Sequence, residues 1–190
     1  INTMAGGASI ITLPVLIFLG LPSNVANGTN RIALMMTAFS ANMGFKSKGI
    51  STFPFSAYTG AAALIGSVIG AHIAVEINDA LFNKILSIIM ILVITIIIFK
   101  PRIVNKNLSV RLKGKHLKIS CLVFFFIGLY GGFINAGIGF IIMLFLHFYN
   151  RLNLIRVNAT KVVIVLVYTI GAFLTFFFNW MCVFAQNISS

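Results

Sequence analysis

"LYGGFINAGIGF", Leu129 to Phe140, lies inside an apolar run of thirty-one residues, Ile119 to Tyr149. At ~1.5 Å per residue a straight helix of that length measures roughly 46 Å, against a hydrocarbon core of ~30 Å. Four glycines and an asparagine sit near the middle of the run, and a break there is simpler than a steep tilt. Splitting it at Gly131 to Gly139 leaves two arms, about Ile119 to Tyr130 and Phe140 to Tyr149, each too short to cross alone. The run is therefore expected to be a broken, re-entrant segment.

Composition fixes the solvent around this segment. Hydrophobic residues make up 59% of the chain and charged residues 8%, with a mean hydropathy of +1.06, far from the soluble average. Apolar runs of membrane-crossing length, with internal backbone pairing required in lipid, point to an all-α integral membrane protein. Only Glu76 and Asp79 are acidic, against fourteen Lys and Arg. In a soluble chain that balance would suggest nucleic acid. Here the basic residues fall between apolar segments without interleaved aromatics, so the expected partner is the lipid bilayer with its anionic headgroups, and no nucleic acid. Cys121 and Cys182 lie in apolar segments without CxxC or His spacing and read as packing residues. No metal or cofactor is expected. Ile1 to Gly20 is apolar from the start and has no charged leader region, so it is not a signal peptide and reads as a chain cut inside its first membrane segment.

Outward from the break, the other elements fall into place. Ile1 to Gly20 contains "MAGGASIITLP", a Gly pair followed by Pro14, and reads as a second broken segment. The polar link "PSNVANGTNR" leads into a helix from about Thr29 to Phe45, ended by Lys46 and Lys48. A third element, about Phe55 to Val75, carries Gly60, Gly66 and Gly70 among many Ala and Ser, a small-residue stripe suited to tight helix packing. Leu81 to Phe99 is predominantly apolar and of spanning length. Lys100 to Lys118 then holds seven of the fourteen basic residues and is expected to be cytoplasmic. After the long run, the link "NRLNLIRVNATK" opens a helix from about Thr160 to Phe178, and "NWMCVFAQNISS" begins a further element or loop.

The elements repeat. An offset of 131 pairs Ala5 with Ala136, Gly6 with Gly137, Ile10 and Ile11 with Ile141 and Ile142, Asn27 with Asn158 and Thr29 with Thr160. A broken segment, a polar link and a helix opened by N-x-T thus occur twice. Residues 1–99 form a first repeat, 100–118 a basic cytoplasmic loop, and 119–190 an incomplete second repeat, so the chain reads as truncated at both ends. Counting spans back from the basic loop puts Lys46 and Lys48 inside, and the first link and the acidic pair outside. If the long run turns back at its glycines, Arg151, Arg156 and Lys161 lie inside and the second copy is inverted. A parallel arrangement, in which the run crosses once, puts those three outside; the inverted one is favoured.

Broken backbone within a membrane is tolerated against protein or a water-lined cavity. Each half-helix after a break starts with unpaired N–H groups and a positive dipole end, which favour an anion. Asn27 or Thr29, and Asn158 or Thr160, are expected helix caps. Gly6, Gly7, Gly137 and Gly139 would expose backbone N–H groups, while Asn135 either joins the site or ties down the break. Two breaks and two helix starts could converge on one site for a small anion.

The residues resemble a family at this point. "AGGASIITLPVLIFLGLPSNVANGTNR" is similar to the first-copy motif of the TauE/SafE sulfite exporter family, and "GLYGGFINAGIGF" with "VNATKVV" to its second-copy counterpart, whose T-K pair falls at Thr160 and Lys161. The resemblance implies a transporter of roughly eight membrane segments, moving sulfite, sulfonates or other small organic anions outward across a bacterial inner membrane. Lys161 is the foremost residue for anion contact, because a cation at a helix start opposes the dipole; simple positive-inside placement is the alternative. Asn30, its counterpart by offset, could share that contact or bond backbone. His72 and Glu76, four apart, could relay protons or merely reach interfacial water. His147 reads as a bonded packing residue and His116 as a solvated loop residue. The expected activity is anion export by alternating access. A passive anion channel or a structural subunit remain as alternatives, an enzyme is disfavoured for want of a nucleophile or metal constellation, and a homo-oligomer is left open.

Overall fold

The computed structural model describes residues 8–50, 52–98 and 110–189, and within them the chain is all-helical. Seven helices follow in order: α1 (Ala8–Phe18), α2 (Ser23–Ser47), α3 (Phe55–Glu76), α4 (Asp79–Ile98), α5 (Lys115–Phe133), α6 (Ile138–Phe148) and α7 (Leu154–Ser189). Among the described residues three stretches are long and apolar enough to cross a membrane: Phe55–Glu76, Lys115–Phe133 and Leu154–Asn179.

The small-residue stripe of α3 packs as its spacing requires. Gly66 and Gly70 lie so near α5 that a Cβ on either would overlap the carbonyl oxygens of Phe125 and Leu129. Gly128 and Gly132 of α5 answer them, closing on the carbonyls of Ala63 and Ser67. Two four-residue steps of glycine face each other, so backbone meets backbone without intervening side chains. In lipid, where apolar burial does not drive helices together, such close van der Waals approach holds them. A polar contact adds to this packing: the Ser67 hydroxyl donates to the Tyr168 carbonyl at 2.9 Å, joining α3 to α7. The outer face of α3 carries Ile65, Ile69 and Ile73, all exposed, while its small residues point inward. Apolar outside and small or polar inside is the pattern of a helix in lipid.

The long apolar run, Ile119 to Tyr149, is a helical hairpin. Helix α5 climbs to Phe133, the chain turns through Ile134 to Gly137, and α6 descends. Its far end returns to the start of α5: the Arg111 N–H donates to the Asn150 carbonyl at 3.1 Å. The Asn150 amide donates to the Arg111 carbonyl at 2.8 Å and to the Ser120 hydroxyl at 2.9 Å. At the opposite end, Ser23 at the start of α2 receives Asp79 of α4, its N–H donating to the carboxylate at 3.0 Å. The described fold therefore has an Arg111 end, rich in basic residues, and an Asp79 end, separated by the length of α5.

Four expectations need correction. The first arm of the run is not short: α5 has nineteen residues, because it takes in Lys115 to Lys118 of the expected loop and because Gly131 and Gly132 stay helical as packing surfaces rather than opening the break. The two links are largely helical, so Asn27, Thr29, Asn158 and Thr160 are not caps. Helix α2 starts at Ser23 behind Pro22, whose fixed φ ends the preceding turn, and α7 starts at Leu154 behind Asn153, whose carboxamide accepts the Arg156 N–H at 2.9 Å. No new element begins at Asn179; α7 runs on to Ser189, with Gly171 its only glycine and no proline to stop it. His116 is no solvated loop residue but sits in the first turn of α5, its Nδ1 3.2 Å from the Tyr149 hydroxyl.

Candidate functional site

The break between α5 and α6 is built from buried residues, Ile134 to Gly139. Asn135 and Gly137 take left-handed backbone angles, φ 59° and φ 70°, a region that glycine enters freely and asparagine more readily than most. These two residues make the turn. Asn135 is pinned from α7, its side-chain oxygen accepting the Tyr168 hydroxyl at 2.7 Å, and the Tyr130 hydroxyl donates to the Ala136 carbonyl. Gly137 is the N-cap residue of α6 and supplies no side-chain cap, and Gly139 lies buried in the first turn.

Helix α2 reaches this break with two side chains one turn apart. Asn27 is fully buried and donates through Nδ2 to the Phe133 carbonyl at 2.6 Å. Arg31, also fully buried, donates to the Gly131 carbonyl at 3.2 Å, to the Gly132 carbonyl, and to Asn27 Oδ1 at 3.3 Å. Its guanidinium carbon stands 4.9 Å from the centroid of the Phe176 ring on α7. The carbonyls at the end of α5 lack intrahelical partners and carry the negative end of the helix dipole, so a cation there is favourable. Arg31 is thus a C-terminal cap supplied from another helix.

Arg31 had no part in the expected site. The offset of 131 pairs it with Val162, which hid it, and it reads as the tail of a polar link. The signal was nevertheless present: in the favoured orientation this basic residue belongs to a link outside the cytoplasm, where the positive-inside rule does not place it.

The expected residues separate into groups. Asn27, Asn135, Gly137 and Gly139 meet at or beside the break. Asn30 is buried and faces α1, accepting the Thr12 hydroxyl at 2.8 Å, while its own Nδ2 has no partner among the described residues. Thr29 is exposed. Gly6 and Gly7, with the first break, lie outside the described residues. Asn158, Thr160 and Lys161 are buried on α7 at 6%, 2% and 3% exposure, nearer its start. Asn158 donates back to the Leu154 carbonyl at 3.0 Å. Lys161 stands seven residues before Tyr168, roughly 10 Å along the helix from the side chain that pins the break. His72 and Glu76 pair at 3.7 Å on an exposed helix end, and His147 bonds the Leu152 carbonyl at 3.0 Å.

Two cations, Arg31 and Lys161, are therefore buried, while both acidic residues of the chain, Glu76 and Asp79, are exposed.

Comparison with known proteins agrees with the helical membrane character. The model of the family "Sulfite exporter TauE/SafE" matches residues 1–188. A "Probable membrane transporter protein" of Haemophilus influenzae is 31% identical over 144 residues, covering 76% of this chain and 56% of the relative. A "Probable membrane transporter protein ORF9" of a Sinorhizobium species is 24% identical over 149 residues, covering 76% of this chain and 54% of the relative. The chain thus spans about half the length of the curated relatives it matches. No solved structure matches it. With a family match over nearly every residue, and with lipid-facing helices around a broken hairpin, the chain belongs to the TauE/SafE sulfite exporter family of membrane transporters.

Proposed function

We propose that this chain is part of an exporter of small anions, sulfite or sulfonates, that works by alternating access across a bacterial inner membrane. The observation that carries the reading is the buried pair of cations, Arg31 and Lys161, in a core whose only two carboxylate residues are both exposed. Cations inside a membrane protein face its interior and mark ion or substrate paths, and an interior whose carboxylates lie outside it favours an anionic ligand. Lys161, Thr160 and Asn158 supply a cation, a hydroxyl and an amide to such an anion near the start of α7, and Asn27 and Asn30 on α2 with Asn135, Gly137 and Gly139 at the break supply amides and a helix end further along its path. Gly6 and Gly7 would supply the matching break of the first repeat. Thr29 is exposed in this conformation, so its part in the site requires α2 to rotate.

Two features support alternating access between inverted repeats. The eleven-residue helices α1 and α6 begin 130 positions apart, at Ala8 and Ile138, and each leads through a short link into a long helix. The break itself is buried from Ile134 to Gly139, which favours a transporter that must rearrange over an open pore. With the basic Arg111 end in the cytoplasm, an inside-negative potential drives an anion outward by about 2.3 kcal/mol per charge per 100 mV, so no coupling ion is required. Replacing Lys161 by Gln in the full-length protein tests the reading: sulfite or sulfonate efflux should be lost or show a sharply raised KM. Normal efflux by that variant refutes the assignment of Lys161, and flux that never saturates points to a channel instead.

A further inference from the structure

We propose that the break holds a second oxyanion position, made by Arg31 and Asn135, distinct from the one at Lys161 and further along the path. The inference rests on the anion-export reading and deepens it. It starts from an imbalance of hydrogen-bonding groups. Around the break five acceptors are occupied: the carbonyls of Gly131 and Gly132 by Arg31, that of Phe133 by Asn27, that of Ala136 by Tyr130, and Asn135 Oδ1 by Tyr168. Two side-chain donors are not: Arg31 Nε and Asn135 Nδ2 are both buried with no acceptor among the described residues, on residues that are fully enclosed. Buried polar groups are nearly always bonded, so two leftover N–H donors, one on α2 beside the turn and one in it, call for an acceptor, which a bound anion supplies.

Charge gives the sign of that ligand. The guanidinium carries a full positive charge, while the end of α5 that it caps offers only about half a negative one. Helix α6 adds its positive N-terminal end, with Gly137 providing no side-chain cap. Donors that come from α2 on one side and from the turn on the other suit a compact oxyanion, whose several oxygens accept from different directions. A lone halide offers no such fork-matched set of oxygens. Lys161, roughly 10 Å away along α7 from Tyr168, is too far to serve the same bound ion. The path would then present two cationic stations in sequence, Lys161 toward the Arg111 end and Arg31 toward the Asp79 end, so that an ion leaving one is received by the other.

Full-length protein, reconstituted in vesicles and assayed for sulfite efflux and for sulfite binding by calorimetry, tests the second position. Asn135→Asp keeps an oxygen for Tyr168 and the tolerance for a left-handed backbone, while it replaces the surplus N–H donor by an acceptor. Arg31→Lys keeps the charge and removes Nε. Each is expected to raise the sulfite KM and Kd by roughly tenfold, the scale of one lost charge-assisted hydrogen bond, with kcat little changed. Unaltered melting of the Asn135→Asp protein shows that its fold is kept, and Asn135→Gly, which preserves the backbone angle, serves if it is not. Folded variants whose sulfite KM and Kd stay within about twofold of the parent overturn the second position. If Lys161→Gln abolishes efflux in that same experiment, the anion-export reading stands without it. A parent protein that neither binds nor moves sulfite or a sulfonate overturns both.

Discussion

Asn27 and Phe133, 106 positions apart, are joined by a hydrogen bond of 2.6 Å from the side-chain amide to the backbone carbonyl, while Asn27 Oδ1 accepts from Arg31. One side chain thus serves a helix end and the cation that caps it. Replacing Asn27 by Leu removes both functions and leaves the Phe133 carbonyl and one guanidinium N–H without their partner. The expected cost is about 1–3 kcal/mol, read as a lower melting temperature of the full-length protein in detergent. An unchanged melting temperature would show that α2 is not tied to the break.

The facing glycines of α3 and α5 make a sharper test because a control lies in the same chain. A Cβ at Gly132 would overlap the backbone of Ser67, and one at Gly128 that of Ala63, so either Gly→Ala change must push the helices apart. Destabilisation by about 1–3 kcal/mol is expected from this overpacking. Gly44, within α2, has nothing within 4 Å of the same construction, so Gly44→Ala should gain about 0.5–1 kcal/mol from helix propensity alone. Thermal melts of the three variants should therefore move in opposite directions.

The Arg31 guanidinium lies over the Phe176 ring at 4.9 Å, and this contact crosses from α2 to α7. Phe176→Leu keeps an apolar side chain but loses the ring face, and should cost about 0.5–2 kcal/mol. Phe176→Tyr retains the ring and should cost less. Equal losses for the two would assign the effect to packing volume, not to the cation.

How much of this was legible in the sequence depends on what each residue does. The break was legible because a thirty-one-residue apolar run exceeds a single span, and a hairpin is what forms. Its position was read too broadly, since glycine serves two purposes in "LYGGFINAGIGF". Gly132 is there for its missing Cβ against Ser67, whereas Gly137 is there for its left-handed φ, and a sequence alone does not separate the two uses. The glycine stripe of α3 was legible by spacing; its partner Gly128 was not, because it sat as a lone glycine in the first arm of the run, with no spacing of its own to mark it. Helix starts were misplaced because N-x-T resembles a cap, while Pro22 and Asn153 held the true boundaries. Arg31 was missed because its partners are backbone carbonyls a hundred positions away, which leave no mark in side-chain pattern.

The two ends of the fold also predict which parts face which compartment. Ser23 at the start of α2 bonds both Asp79 and Asn83, so the first link lies with the acidic residues. The second link lies at the other end, because Asn150 is bonded to Arg111 and His116 sits beside Tyr149. Helix α5 runs from one end to the other over nineteen residues, roughly 28 Å, which is the thickness of the hydrocarbon core. Single cysteines introduced at the exposed positions Val25 and Arg156, in full-length protein with Cys121 and Cys182 replaced, should therefore react with a membrane-impermeant thiol reagent from opposite sides. The basic Arg111 end assigns Arg156→Cys to the cytoplasmic face and Val25→Cys to the outer one. Labelling of both from a single side would contradict the inverted relation of the two links, and with it the pseudo-symmetric pair of breaks on which alternating access depends.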